Sequence, residues 1–206
     1  MKTIIYILIA VFILGMLPLD MIHANQNVQL VIEATDLNVS EEVLKQSSDI
    51  MSGRLHDAGI TGFDINIEPG KIILKMPAQY ATDPVKKLLI AKGRLEFRES
   101  ETQRLLLEGN DVESMKAGSD PSGDAYSAIQ FKREAIPVWT EATKKNINKS
   151  IAILLDGRVI YDPVVRETIS NGSCVITGKF TAEELQYISI LGNNGELPAE
   201  FRIVEE

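Results

Sequence analysis

Two residues with catalytic potential each occur once in the chain beyond its apolar N-terminal stretch. His56 is the only histidine there, and Cys174 is the only cysteine of the whole sequence. Cys174 lies in an apolar run, which is typical of a small buried hydrophobic residue. One histidine at the polar end of a predicted helix and one apolar cysteine do not supply a nucleophile, a base and an orienting group. The sequence therefore predicts no nucleophilic catalysis and no intramolecular disulfide.

Carboxylates and glycines also fail to form a recognisable site. Glu183 and Glu184 are adjacent, so on a helix they point apart, and we interpret them as a helix cap or a solvated face. Gly118 and Gly123 have the glycine spacing of a phosphate-binding loop, but Asp124 follows where that loop needs lysine and would repel phosphate. No cluster of metal ligands is visible. We therefore predict a protein that is not an enzyme, with no catalytic, cofactor-binding or metal-binding residues.

The overall composition narrows the class of partner. The 206-residue chain is 45% hydrophobic and 24% charged, which is an ordinary globular balance for one domain or two small subdomains. Its formal net charge is −8, and no basic run of five or more residues offsets this charge. Double-stranded nucleic acid is repelled by such a surface, so we exclude nucleic-acid binding.

The first 24 residues have the pattern of an export signal. Lys2 precedes an apolar stretch at residues 3–19, and Ala24 provides a small residue for cleavage. The stretch is also almost long enough to span a bilayer, which takes about 20 residues. Residues 1–24 are therefore either a cleaved signal peptide or an N-terminal membrane anchor. Both alternatives place the rest of the chain outside the cytoplasm, in the periplasm or cell envelope.

Hydrophobic periodicity predicts alternating strands and helices from residue 28 onwards. The Asp83-Pro84 pair is a helix start, because Asp accepts orphan amide hydrogens and Pro fits the first turn. The predicted order is strand, helix, two strands, helix, strand, which is ferredoxin-like. The elements lie at residues 28–32, 40–56, 63–67, 71–76, 83–93 and 95–98.

The second half of the chain has clearer turn signals. Asp156-Gly157 predicts a tight hairpin, because the turn needs positive φ. Thr181 and Glu184 form a capping box that starts a helix, and Gly192 is predicted to end it. A mobile loop is predicted at residues 117–124. The remaining elements are strands at residues 105–107, 126–131, 174–176 and 201–204 and a helix at residues 135–146.

Four segments in this order resemble the protein-translocation subunit SecD. They are Leu95-Glu96-Phe97-Arg98, the apolar strand with Asp156-Gly157 followed by Val159-Ile160 and Pro163, the run from Ile176-Thr177-Gly178 to Glu184, and Gly195-Glu196-Leu197-Pro198. The last departs from the family's Gly-Ala-Leu-Pro by having Glu196. The resemblance extends over residues 40–206 and covers the SecD periplasmic domain.

The resemblance implies an α+β fold with a ferredoxin-like base subdomain and an inserted α/β head subdomain. The base would comprise residues 25–104 and 178–206, and the head residues 105–177. Trp139 would then be a core residue of the head rather than an exposed peptide-binding platform.

By the same resemblance, the chain is an extracytoplasmic binding module accessory to protein export or folding. Its partners would be unfolded secretory polypeptide or membrane translocase subunits, with the contact residues unassigned. The alternative is a structural or regulatory envelope protein that docks on membrane partners, or on itself, without binding substrate. The SecD membrane helices, with the acidic residue that handles protons, do not follow Glu206. We therefore expect no proton-driven transport by this chain itself.

Overall fold

The computed structural model describes residues 26–205, so the predicted signal or anchor at residues 1–24 lies outside the described residues. Within residues 26–205, the α-helices are α1 (Glu41–Asp57), α2 (Asp83–Ile90), α3 (Ile136–Lys145) and α4 (Ala182–Asn194), and short 3-10 helices lie at Ala78–Tyr80 and Gly109–Asp111. The strands are β1 (Asn27–Ala34), β2 (Asp64–Glu68), β3 (Lys71–Pro77), β4 (Leu95–Glu99), β5 (Leu105–Glu108), β6 (Val112–Ser119), β7 (Ala125–Phe131), β8 (Ile151–Leu155), β9 (Arg158–Tyr161), β10 (Ser173–Ile176) and β11 (Phe201–Glu205). This mixture confirms the α+β class. None of these four helices has the length and apolar character needed to cross a bilayer.

The first sheet has the strand order β11-β1-β3-β2, and all of its pairs are antiparallel. This is the ferredoxin-like arrangement, but β11 completes it, rather than the Leu95–Glu99 strand suggested by the sequence order. Strand β4 pairs with β8 instead, with Leu95 opposite Leu155. In the β1–β11 pair, Leu30 lies opposite Glu205, so both ends of the described chain lie at the same end of this sheet.

Two further sheets have the orders β10-β7-β6 and β5-β4-β8-β9. Strands β8 and β9 form the predicted hairpin. At its turn Asp156 and Gly157 have φ values of 51° and 75°, the positive angles that a two-residue hairpin turn needs. The predicted loop at residues 117–124 is shorter than expected. Strand β6 continues to Ser119, and the Asp120 carboxylate accepts hydrogen bonds from the backbone of the turn that follows.

Two hydrophobic cores hold these layers together. One lies between the first sheet and α1 and includes Ile32, Leu55 and Leu74. The other joins the remaining sheets to α3 and α4 around an aromatic cluster of Phe97, Phe131 and Trp139, with ring centroids 4.9–5.9 Å apart. Trp139 is 4% exposed, which confirms its prediction as a core residue.

Helix α4 begins at the predicted capping box but ends later than predicted. Thr181 Oγ1 accepts a hydrogen bond from the Glu184 amide, and the Thr181 amide donates to the Glu184 carboxylate. Gly192 lies inside the helix rather than at its end. A glycine is needed there because a β-carbon would collide with the sulfur of Met115. The helix ends instead at Gly195, where φ is +77°.

Candidate functional site

An apolar groove of about 410 Å³ lies between the segment after β9 and the exposed side of β10. We call it the edge groove. Val164 and Val175 stand on its rim, 43% and 47% exposed. The residues that define the groove are Trp139, Ile153, Val164, Ile169, Cys174 and Val175.

Both strands beside the edge groove are the last strands of their sheets. In the described part of the chain, β9 pairs only with β8, and β10 pairs only with β7. The Tyr161 and Thr177 hydroxyls lie 3.2 Å apart and connect the two sides at one end. At Ser173 of β10 the amide already donates to Asn171 Oδ1 at 3.2 Å, and the carbonyl accepts from Trp139 Nε1 at 3.3 Å. Edge strands otherwise offer their main-chain donors and acceptors to another extended chain. The groove therefore combines apolar side chains with open backbone edges.

The segment that forms one wall of the edge groove is fixed by hydrogen bonds to its neighbours. The Ile169 amide donates to the Thr143 hydroxyl at 3.0 Å, and that hydroxyl is fully buried on α3. The Val165 amide donates to the Lys149 carbonyl at 2.8 Å, and the Asn148 amide donates to the Val165 carbonyl at 2.9 Å. The wall is thus formed before any ligand binds.

Cys174 lines this groove as an inert thiol. Burial raises its pKa to about 12, so almost no thiolate is present at pH 8. We predict that a disulfide reagent such as DTNB reacts with the native chain at pH 8 at least about 100-fold more slowly than with the chain in denaturant. Comparable rates in the two states would contradict this assignment.

A second arrangement, at the junction between the two cores, is built around Arg54 of α1. Its side chain is fully buried, and burial lowers its pKa to about 10, so the guanidinium remains charged at neutral pH. Its two terminal nitrogens donate hydrogen bonds to five main-chain carbonyl oxygens, at N–O distances of 2.6–3.3 Å. The acceptors are the carbonyl oxygens of Leu88, Leu89, Ala91, Lys92 and Gly195.

These acceptors belong to the two chain segments that cross from one core to the other. The first crossing follows α2, whose last carbonyls have no helical partner and accept from Arg54 instead. The second crossing follows α4. The first crossing comprises residues 91–94 and the second residues 195–200. The two lie side by side, because the Leu197 amide donates to the Lys92 carbonyl at 2.8 Å and the Lys92 ammonium donates to the Leu197 carbonyl at 2.5 Å. Arg54 therefore fixes both crossings at once.

The end of α4 also binds elements on both sides of the junction. The Asn193 amide group forms two hydrogen bonds with the backbone of Met115 in β6, at 2.6 and 3.1 Å. Its neighbour Asn194 donates to the Asp57 carboxylate of α1 at 2.8 Å. The orientation of the two cores is therefore set by specific polar contacts as well as by packing.

Comparison with known proteins identifies the family. The family model described as SecDF, P1 head subdomain, matches residues 92–199, just over half of the chain. The chain belongs to the SecD/SecDF family. It is 32% identical over 174 residues to protein translocase subunit SecD of Acidaminococcus fermentans and 29% identical over 170 residues to SecD of Dictyoglomus turgidum. These matches cover 84% and 82% of this chain but only 42% of each SecD.

Solved SecDF structures share the fold. A crystal structure of SecDF in its super-membrane-facing form has a TM-score of 0.79 and 25% identity, covering 89% of this chain and 30% of that one. A structure of the membrane component SecDF, described as enhancing protein export, has a TM-score of 0.74 and 27% identity. That match covers 87% of this chain and 99% of the other. The resemblance to the SecD periplasmic domain is therefore confirmed.

Two of the four SecD-like motifs lie at a turn and at the junction, whereas Leu95-Glu96-Phe97-Arg98 forms most of β4. Asp156-Gly157 forms the β8–β9 turn, and the Asp156 carboxylate accepts a hydrogen bond from the Arg94 amide at 2.8 Å. The Gly195–Pro198 motif forms the second crossing. Glu196, which replaces the family's alanine, pairs with Lys92 at 3.4 Å. In this SecD family member, one of these motifs thus forms a hairpin turn and the other forms part of the junction between the two cores.

The residues singled out for chemistry do not meet in one place. His56 is exposed and its ring lies 5.0 Å from that of Phe63, whereas Cys174 lies in the edge groove. Within residues 26–205, no group of three or more His, Cys, Asp or Glu side chains could hold a metal ion. Arg54 was missed by sequence reasoning. The pattern that could have revealed it is the position of this arginine three residues after Met51, on the apolar face of the helix in this SecD family member.

Proposed function

We propose that this chain is an extracytoplasmic binding module that serves protein export by holding an extended segment of unfolded polypeptide in the edge groove. The observation that carries the proposal is the edge of β10, which beyond Ser173 pairs with no strand other than β7 within residues 26–205, beside an apolar groove with a preformed wall. The names of the relatives agree with a role in export. Because the chain spans 42% of the length of the SecD proteins it matches, their role is extended to it as part of this proposal.

An extended ligand would bind by adding a strand to β10. Main-chain hydrogen bonds to the edge provide affinity that does not depend on the ligand sequence. Alternate ligand side chains point to the same side of a strand, so every second residue would face the groove. Apolar residues at those positions would contact Val164, Ile169 and Val175. This mode suits secretory proteins of many sequences and requires neither catalysis nor a cofactor.

The two cores support a division into a base and a head. We propose that the first sheet with α1 and α2 is the base, and that the other two sheets with α3 and α4 are the head. The sequence drew the boundaries at residues 104/105 and 177/178. The cores favour boundaries at the two crossings, because β4 and α4 pack in the head core. In this arrangement Arg54 of the base sets the position of the head, and the base is left to contact membrane translocase subunits.

We expect Val175→Asp to weaken binding of an unfolded secretory protein at least tenfold. The charge would be placed on the rim of the edge groove, and Val175 is exposed enough that folding should be unaffected. Binding is measured by fluorescence anisotropy with a labelled, reduced secretory protein, and the same protein in its folded state should not bind. The matched control is Val159→Asp, at an exposed valine of β9 that does not line the groove.

A peptide from the same secretory protein tests strand addition directly. Methylation of alternate backbone nitrogens removes the donors needed for pairing and should abolish binding, while the unmodified peptide binds. Equal loss in the two valine variants, or no saturable binding of the unfolded protein, would count against the proposal. Retained docking to translocase subunits in that case would favour a regulatory envelope protein that does not bind substrate.

A further inference from the structure

The turn that leads into β10 has the residue types of a site that can modify itself. The sequence there is Asn171-Gly172-Ser173. In an asparagine–glycine pair the glycine amide nitrogen can attack the asparagine side-chain carbon, because no β-carbon on the glycine shields that nitrogen. The attack closes a succinimide ring. Asn171 is exposed, so water can reach the ring and open it.

The Asn171 side chain is folded back over the peptide that follows it. Its Oδ1 accepts a hydrogen bond from the Ser173 amide at 3.2 Å, which makes an Asx turn, and a second one from the Ser173 hydroxyl at 2.8 Å. Such a turn brings the side-chain carbon Cγ beside the amide nitrogen of the intervening Gly172. The attacking and the attacked atom are therefore neighbours before the reaction begins, which removes much of its entropic cost.

The same two hydrogen bonds stabilise the charge that forms during the attack. Negative charge develops on Oδ1 when the Gly172 nitrogen bonds to Cγ, and donors already aimed at that oxygen stabilise it. Within residues 26–205, the Gly172 amide and the Asn171 Nδ2 group donate no hydrogen bond. The nucleophile and the leaving group are thus unhindered, while the oxygen that gains charge has two donors.

The second asparagine–glycine pair of the sequence, Asn194-Gly195, is blocked by the fold. The Gly195 amide donates to the Leu191 carbonyl at 3.0 Å, so this nucleophile is occupied. The Asn194 Nδ2 group donates to the Ile190 carbonyl at 2.9 Å and to the Asp57 carboxylate at 2.8 Å, which holds the leaving group in place. The same dipeptide therefore occurs once in a reactive and once in a protected arrangement.

We propose that the folded chain deamidates itself at Asn171 and that Ser173 promotes the reaction. The Gly172 nitrogen loses its proton to water or hydroxide and bonds to Asn171 Cγ. The Cγ–Nδ2 bond then breaks and ammonia leaves. Water opens the succinimide at either carbonyl, which produces aspartate or isoaspartate at position 171. The net change converts one side-chain amide and one water into a carboxylate and an ammonium ion, without oxidant, cofactor or enzyme.

Both products change the edge groove, because Asn171 is one of its lining residues. Aspartate places a carboxylate on the wall of the groove. Isoaspartate adds a carbon to the main chain before Gly172, whose carbonyl accepts from the Phe131 amide at 2.8 Å and where a β-carbon would collide with Ile136. The longer main chain would disturb this close fit and shift the start of β10 against β7. The consequence is independent of what the groove binds.

Peptide mass spectrometry of the full 206-residue chain, incubated at pH 8, tests the proposal. Trypsin cleaves after Arg166 and Lys179, so the two asparagine–glycine pairs fall on different peptides, and each deamidation adds about 1 Da. In the native chain we expect Asn171 to deamidate at least about tenfold faster than Asn194. In guanidinium chloride the two rates should agree within about threefold, and the Asn171 rate should be lower than in the native chain, because the Asx turn is lost.

Ser173→Ala distinguishes promotion by the serine from simple exposure of the asparagine. Removal of the hydroxyl should slow deamidation of Asn171 at least about threefold in the native chain and leave the rate in denaturant unchanged. Ser170→Ala, at an exposed serine on the other side of Asn171, is the matched control and should change neither rate. The proposal is overturned if Asn171 and Asn194 react equally fast in the native chain, if unfolding accelerates the reaction at Asn171, or if Ser173→Ala leaves the native rate unchanged.

Discussion

Replacing Arg54 with methionine is expected to lower the free energy of unfolding by about 3 kcal/mol or more. Methionine keeps the apolar stem but ends where Arg54 Nε lies, so it leaves the space of the guanidinium group empty and donates no hydrogen bonds. Five carbonyl oxygens would lose a donor, and those at the end of α2 are enclosed by the junction. Each buried carbonyl without a partner costs about 1–3 kcal/mol. Urea unfolding at pH 7 measures the change.

Arg202→Met is the matched control for this prediction. Arg202 is 66% exposed and pairs with one carboxylate, so its loss should cost less than about 1 kcal/mol. Arg54→Lys should lie between the two, because an ammonium group keeps the charge but cannot reach both crossings. If Arg54→Met and Arg202→Met unfold at the same urea concentration, Arg54 does not hold the junction.

Gly93→Ala is expected to cost about 2–4 kcal/mol, from two sources. Gly93 has a φ of +77°, where a side chain is strained. A β-carbon would also lie 2.5 Å from Arg54 Nη2 and 3.0 Å from the Gly195 carbonyl oxygen. The backbone carbonyl cannot move without separating the two crossings. The change is measured by thermal and urea unfolding.

Gly70→Ala measures the backbone strain alone, because Gly70 has the same φ of +77° but no atom within 4 Å of the added carbon. The difference in cost between the two glycine variants is then the cost of the collision. It should cost only about 1 kcal/mol. In the Arg54→Met background, Gly93→Ala should cost less than it does alone, because one of the colliding groups has been removed. Equal costs for the two glycines, or strict additivity with Arg54→Met, would show that crowding at the junction is unimportant.

Local signals in the sequence predicted local structure well. The Asp156-Gly157 turn and the Thr181–Glu184 capping box each depend on residues within four positions of one another, and the structure contains both. Gly192 was misread as a helix end for the opposite reason. Its role depends on Met115, 77 positions earlier in the chain, and a local pattern carries no information about that contact.

Long-range pairing explains why the rest could not be predicted. The first sheet is closed by β11, about 170 residues after β1, whereas the sequence order suggested the much nearer β4. The edge groove brings together Trp139, Val164 and Val175, which share no periodicity. Arg54 could be noticed as an arginine on an apolar helix face, but its acceptors are main-chain oxygens of distant segments. Those oxygens come together around one arginine only once the chain has folded.

The neighbouring positions of β1 and β11 have a mechanical consequence. Asn27 and Glu205 emerge at the same end of an antiparallel pair, so a pull that separates them loads the first hydrogen bonds of that pair before the others. The hydrogen bonds between β1 and β11 then break one after another. If the strands were instead pulled along their length, all of these bonds would resist together. Tension along the polypeptide would therefore detach β11 at low force. The strands beside the edge groove belong to the other two sheets and form no pair with β1 or β11, so the groove would stay intact.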